Sequence, residues 1–297
     1  MRNLKLFGQM LALMTGLLFF AGCQKDDAAS PANSIDERST TTYVSSMNLY
    51  GLGPSNELYS YRSGPPATYM SETQIRGLRD GETMLAIDVR PATKTLYGVS
   101  SMSALYKIDP ATGMATPAAQ SGVGTSGSTS PTTFTPTLDG TTVAMDFNPQ
   151  MDRLKVMTDK GQNLTINPTT GQVTNVGITT SPTYGINSIA YSNNFTGTAG
   201  TSLYDIDAFS GQLFRMSSTG SQTLVGTTGL TMTGEGGFDI SRSGQAVGAL
   251  LATGPAGYGT SPDAQAEEAY RLYLISLRNG QVTDLGKVKP MIGVAIQ

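Results

Sequence analysis

Ala144-Met145-Asp146-Phe147 reads as a small residue, a hydrophobe, an aspartate and a hydrophobe, and the pattern recurs along the chain. The other copies are Ala86-Ile87-Asp88-Val89, Ser188-Ile189-Ala190-Tyr191, Gly237-Phe238-Asp239-Ile240 and Gly293-Val294-Ala295-Ile296. Their third positions lie 58, 44, 49 and 56 residues apart, close to the per-blade period of kelch-type β-propellers. The spacing predicts an all-β propeller of about five blades, with six blades or an open solenoid as the alternatives.

A second repeat keeps step with the first. It is a Leu-Tyr-x-Ile-like strand followed by a polar residue and a turn that closes on glycine. Leu105-Tyr106-Lys107-Ile108-Asp109 runs on to Gly113, and Leu203-Tyr204-Asp205-Ile206-Asp207 to Gly211. Leu164-Thr165-Ile166-Asn167 and Leu272-Tyr273-Leu274-Ile275-Ser276 run on to Gly171 and Gly280, and Leu58-Tyr59-Ser60-Tyr61 is a decayed copy. Asp109, Asn167, Asp207 and Ser276 can accept backbone amides inside the turn, while the glycine takes a left-handed conformation without steric cost. Each unit is expected to be the hairpin between the two outer strands of a blade. Residues 95–100, 153–158 and 245–250 supply a further strand between tetrad and hairpin, which makes four per blade.

The last tetrad ends the sequence with no outer strands after it, and the first outer strands have no tetrad before them. Pairing the C-terminal strand with the N-terminal ones completes one blade from both ends and leaves no open edge. Residues 121–136 and 253–268 read as loop insertions, and 263–271 as one or two turns of helix.

The N-terminal 22 residues carry Arg2 and Lys5 ahead of an apolar stretch from Leu6 to Phe20, too short for a comfortable membrane span. Phe20-Ala21-Gly22-Cys23 resembles a bacterial lipoprotein signal, and Cys23 is the single cysteine of the chain. The resemblance implies a signal peptide over 1–22, a palmitate-type lipid anchor on Cys23 and attachment to the membrane through it. Lys25-Asp26-Asp27 resembles the export signal that sends Bacteroidetes lipoproteins to the outer face of the outer membrane. Residues 23–42 hold few hydrophobes and read as a flexible tether, and 43–297 as the propeller domain.

Composition narrows the chemistry. There is no histidine, and the one cysteine is assigned to lipid, so Ser-His-Asp and Cys-His triads and His-ligated zinc are excluded. Loss of the leader leaves 17 of the 19 basic residues against 22 acidic ones. No run of basic residues occurs, so nucleic acid is not expected as a partner. Carboxylates, hydroxyls, Lys, Tyr or an oxygen-ligated cation such as Ca²⁺ are what remain.

The most distinctive stretch is Asp146-Phe147-Asn148-Pro149, Asp152-Arg153, Gly161-Gln162-Asn163-Leu164 and Asn167-Pro168, continuing to Ala190-Tyr191-Ser192-Asn193-Asn194-Phe195 and Leu203 to Asp207. It resembles an uncharacterised bacterial domain family of secreted and surface proteins, over about Leu49 to Ile296. The resemblance implies a propeller-like fold and transfers no catalytic residue.

Two groups are the candidate sites. Asp88, Asp146 and Asp239 share one tetrad position and would converge at one mouth of the central channel. They would form either a Ca²⁺ site, similar in outline to calcium-dependent sugar-lactone hydrolases of other propeller families, or a set of carboxylates that each lock one blade to the next. Asn148, Asp152, Arg153, Asn163, Asn193 and Asn194 offer donors and acceptors suited to a hydroxyl-rich ligand, or else serve turns and an Asp152–Arg153 pair. The expected function is a non-catalytic surface module that binds a glycan, peptide or partner protein and needs no cofactor. The alternative is a Ca²⁺-dependent hydrolase or lyase with carboxylates at the channel mouth.

Overall fold

The computed structural model describes residues 47–118, 131–178, 186–207, 210–253 and 269–297. The leader, Cys23, the tether, and most of the 121–136 and 253–268 insertions lie outside them. Twenty strands form five four-stranded antiparallel sheets, with no helix among the described residues.

The second blade is β4 (Met84–Arg90), β5 (Thr95–Ser100), β6 (Leu105–Ile108) and β7 (Ala115–Pro117). The third is β8 (Val143–Asn148), β9 (Arg153–Thr158), β10 (Gln162–Ile166) and β11 (Val173–Ile178). The fourth is β12 (Ile186–Tyr191), β13 (Leu203–Asp207), β14 (Gln212–Met216) and β15 (Gln222–Thr227). The fifth is β16 (Thr231–Ile240), β17 (Ala246–Thr253), β18 (Ala269–Ile275) and β19 (Val282–Lys287). The closing blade joins the two ends of the fold: β20 (Gly293–Ile296) pairs with β1 (Asn48–Leu52), followed by β2 (Glu57–Arg62) and β3 (Thr68–Gln74). Its register sets Leu49 opposite Ile296 and Leu52 opposite Gly293.

All five tetrads are the innermost strands, and each inner strand touches the next around a ring that β16 and β20 close. The second and fourth tetrad residues are buried hydrophobes, and the core lies between blades in separate clusters. The small first residue has its reason here. A Cβ built on Gly237 would lie 2.2 Å from the Val294 amide nitrogen and 2.4 Å from the Gly293 carbonyl carbon. β16 and β20 thus meet so tightly that nothing larger fits at Gly237, whereas the same position holds Ala86, Ala144 and Ser188 in other blades and a Cβ on Gly293 would meet nothing closer than 3.5 Å. The axial space is about 20 Å³, lined by Ala86, Ala144, Ser188, Gly237 and Gly293 among others, which is room for one water molecule.

The outer hairpins follow the expected turn chemistry. Gly113, Gly171 and Gly280 donate to the carbonyls of Asp109, Asn167 and Ser276 at 2.8 Å, with φ of +72°, +70° and +78°. A Cβ on Gly113 would also meet the Gln74 carbonyl oxygen at 2.2 Å, so this glycine answers a close backbone approach as well as a left-handed φ.

Three expectations are corrected. Leu203 to Asp207 is the second strand of its blade, so the Asp207–Gly211 turn joins strands two and three; the outer hairpin of the fourth blade turns through Ser217 to Ser221 instead. The same Asp-to-Gly turn closes any hairpin, whichever strands it links. Residues 269–271 of the expected helix begin β18. Within the first insertion Phe134 is buried between the second and third blades, an anchored side chain in a segment read as plain loop.

Candidate functional site

Antiparallel order fixes which loops share an end of the ring. Every inner strand finishes at one end, called the exit end below. The turns from first to second strand also lie there, whereas the third-to-fourth turns lie against the last strand of the preceding blade or the segment after it: the Arg76 amide donates to the Gly113 carbonyl at 2.9 Å and the Ala67 amide to the Leu285 carbonyl at 2.7 Å. Blade-to-blade connections and second-to-third turns lie at the other end.

Asp88, Asp146 and Asp239 sit close to the exit end on three inner strands. They are buried and converge, with one carboxylate oxygen of each within 4.8 Å of the others. Each also accepts the backbone amide of the fourth tetrad residue in the next blade. Asp88 Oδ2 accepts from Phe147 N at 2.8 Å, Asp146 Oδ1 from Tyr191 N at 3.1 Å and Asp239 Oδ2 from Ile296 N at 2.6 Å. Two blades have alanine at the third position, Ala190 and Ala295, so the amides of Ile240 and Val89 have no carboxylate in the preceding blade. They donate to the aspartate of their own blade instead, Ile240 N to Asp239 Oδ1 at 2.5 Å and Val89 N to Asp88 Oδ1 at 2.6 Å. Three carboxylates thereby satisfy all five fourth-position amides, the reason an Asp-or-Ala alternation closes the ring.

Burial raises the Asp239 carboxyl to about 7, against the opposing pull of the Ile296 and Ile240 amides. Asp88 and Asp146 are raised well above the carboxylate range, by burial first and then by neighbouring aspartates of the cluster. Their protonated forms relieve the mutual repulsion, and a cation bridging the oxygens would do the same. Ca²⁺ takes six to eight oxygens, and the three carboxylates supply part of that number while still accepting amides.

A fourth acid behaves alike. Asp205 on β13 is fully buried, accepts Gln222 Nε2 at 2.7 Å through Oδ2 and leaves Oδ1 without a hydrogen bond. Burial raises it to about 8. Between the unfolded value near 3.8 and these folded values, the native state holds protons that the unfolded chain has released. Stability is then present in full at the acid side of this window and is lost as pH rises through about 7 to 8. Thermal melts should accordingly fall from pH 5 to pH 8.5, by an amount on the order of several kcal/mol. Asp205→Asn should flatten the decline; a wild-type melt that rises across the same range would overturn the assignment.

One buried acid goes the other way. Burial alone would raise Glu82, yet hydrogen bonds from Arg79, Ser100 and Tyr106 hold it at about 2. The Tyr106 hydroxyl donates to Glu82 Oε2 at 2.6 Å and Arg79 Nη2 to Oε1 at 2.8 Å. This fixes the segment that enters the second blade.

Five of the six polar candidates gather at the exit end. Asn148 caps its own turn, with Oδ1 accepting Gln150 N and Met151 N at 3.0 and 2.9 Å. Asp152 (φ +49°) pairs with Arg90 of the second blade, Nε to Oδ1 at 2.8 Å and Nη2 to Oδ2 at 2.5 Å. The expected Asp152–Arg153 pair is therefore replaced: Arg153 Nη1 donates to the Asp152 carbonyl at 3.1 Å. Asn193 (φ +54°) donates to the Gly200 carbonyl at 2.9 Å, and Asn194 is buried with Oδ1 unbonded. Asn163 stands apart, buried on β10 near the opposite end. Loops of adjacent blades are tied across this end: Gln150 Nε2 donates to the Ala199 carbonyl at 3.1 Å, and the Arg242 guanidinium lies 5.6 Å from the centre of the Phe195 ring.

With strands and loops so placed, relatives can be compared. The family profile for a domain of unknown function, DUF4394, matches residues 57–295. The chain belongs to the DUF4394 family. No protein among the curated sequences matches it. Solved structures are similar only at low identity. A protein of unknown function from Bacteroides caccae is 10% identical, with 85% of this chain and 99% of that one covered and a TM-score of 0.40. A structural-genomics protein of unknown function from Bacteroides thetaiotaomicron is 13% identical over 82% and 60%, at 0.46. Virginiamycin B lyase from Staphylococcus aureus is 8% identical over 84% and 73%, at 0.39.

Proposed function

We infer that this DUF4394 propeller is a non-catalytic binding module that takes a glycan on the loops of its exit end. The observation that supports this reading is the separation of two groups. The axial carboxylates are buried and engaged in joining blades, whereas Asn148, Arg153 and Asn193 lie on cross-tied loops at the surface. Rigidly held loops with amide and guanidinium groups suit a ligand rich in hydroxyls. The test is affinity electrophoresis and calorimetry of the full chain in neutral detergent against dextran, polygalacturonate and soluble peptidoglycan fragments, with product analysis of each. Retention of at least one glycan, returned intact and weakened in Asn193→Ala, is the expected result. Retention of none, or conversion of one to product, would remove this reading.

The convergence of three carboxylates favours a second reading, a Ca²⁺-dependent hydrolase or lyase. Its signature would be a melt at pH 8 that rises with Ca²⁺, loses the rise in Asp146→Asn, and accompanies turnover of a lactone or ester.

The proposed setting is the outer membrane, with the propeller held at the cell surface by lipid on Cys23. Cys23→Ala should move the protein from the membrane to the soluble fraction. Protease added to intact cells should digest the wild-type protein if it faces outward.

A further inference from the structure

Sorting the charged side chains by end of the ring shows an asymmetry that their positions in the sequence hide. At the exit end, counting the inner-to-second-strand loops and the strand residues that abut them, the described residues include four cations, Arg90, Lys94, Arg153 and Arg242. One carboxylate, Asp152, shares those loops, and the buried Asp88, Asp146 and Asp239 lie beneath them. The opposite end is nearly balanced by the same count, with five cations to six acids, and two of its pairs are closed within it, Arg79–Glu82 and Lys160–Asp139. A protein with an overall excess of acid therefore presents one basic face.

Most of this charge is available. Of the four cations, Arg90 is spent on Asp152. Lys94 and Arg242 are exposed and have no carboxylate partner among the described residues. Arg153 is half-exposed and bonded only to a backbone carbonyl. Lys94, Arg153 and Arg242 come from the inner-to-second-strand loops of three different blades, so they surround the axis rather than line one strand.

We propose that the exit end binds an anionic, hydroxyl-rich polymer, a carboxylated polysaccharide. This rests on the glycan reading above and narrows it. Guanidinium groups match carboxylates in a planar, two-point geometry, and the amides of Gln150 and Asn193 on the same loops match hydroxyls. Single-stranded nucleic acid would need exposed aromatic faces for its bases. Here Phe195 is covered by Arg242 and Tyr191 is buried, which favours the sugar.

The test uses the full chain in neutral detergent with polygalacturonate, dextran and a DNA duplex as probes, comparing wild type with a Lys94→Gln/Arg153→Gln/Arg242→Gln variant. An opposite-end variant, Arg76→Gln/Lys287→Gln, is the control. Polygalacturonate binding that weakens about tenfold or more in the triple variant, weakens similarly from about 50 to 250 mM salt, and persists in the control is expected. Dextran bound as well as polygalacturonate, with the triple variant unaffected, would overturn the anionic assignment while leaving the glycan reading in place. Duplex bound in preference to polygalacturonate would overturn it in favour of nucleic acid. Retention of no probe would overturn the anionic assignment, and the glycan reading would fall with it only if soluble peptidoglycan fragments were not retained either. Equal melting temperatures of the variants and wild type would show that any loss is local to the face.

Discussion

Replacing Gly237 with alanine is expected to lower the melting temperature by roughly 6–12 °C, through overpacking worth roughly 3 kcal/mol. The added methyl group would overlap the backbone of β20 itself, at Val294 N and Gly293 C. A clash with a side-chain tip is relieved by a rotamer change, but here the neighbour is main chain within the strand that closes the ring. Relief requires β16 and β20 to move apart, which also lengthens the Asp239-to-Ile296 contact. The comparison is Gly200→Ala, where a Cβ meets nothing within 4 Å and the expected change is within about 0.5 kcal/mol. A Gly237→Ala protein that melts with wild type would show that the inner ring has slack, and that the small first tetrad residue has some other cause.

The second large effect is an ordering among three aspartates. Asp88 and Asp239 each accept two buried amides, and Asp146 is bonded to one, that of Tyr191. A buried amide left without a partner costs about 1–3 kcal/mol. Asp88→Ala and Asp239→Ala should consequently lose on the order of 2–6 kcal/mol each, and Asp146→Ala about half that. Removing any one also relieves repulsion among the three, which lowers all these values most at high pH, where the remaining carboxyls are nearest to ionising. Chemical denaturation at pH 5 and pH 8 measures both effects together. If Asp146→Ala were the most damaging of the three, the bonding pattern would not be what holds the ring, and a bound cation organised by Asp146 would become the better account.

The inner strands were legible because one position in every blade meets the same surroundings. A small residue and two buried hydrophobes recur in every blade and a carboxylate in three of them, which makes a readable pattern. The blade lock was legible in outline from that recurrence, although the use of three carboxylates for five amides was not. It depends on Ala190 and Ala295 preceding blades that carry their own aspartate, a relation between neighbours in space. The turn from Asp207 to Gly211 misled for the converse reason: Asp-x-x-x-Gly reports a local bend and carries no label for the strands it joins. Asn163 was grouped with Asn148 through shared residue type, yet β10 runs opposite to β9 and leaves the two near opposite ends. Least legible was the basic face. Its cations are spread from Arg90 to Arg242, one or two to a loop, and no loop holds more than a pair. Antiparallel alternation alone gathers them.

The join between β1 and β20 also bears on how the molecule comes to be folded. Leu49 and Ile296 are partners across almost the whole domain, so this pairing has the greatest sequence separation in the fold. The other four blades contain only contacts between successive strands and can form as each is synthesised. The closing blade must wait with one inner position vacant, since its missing strand is the last to arrive. Loop closure over such a length costs little more than over a shorter one, but contacts so far apart in the chain slow the approach to the native state. Once made, the closure leaves no blade that can peel away without breaking its neighbours, so unfolding should be cooperative and slow. In the cell-surface setting proposed above, where an opened propeller would have no chaperone to return it, such persistence would be the more valuable of the two rates.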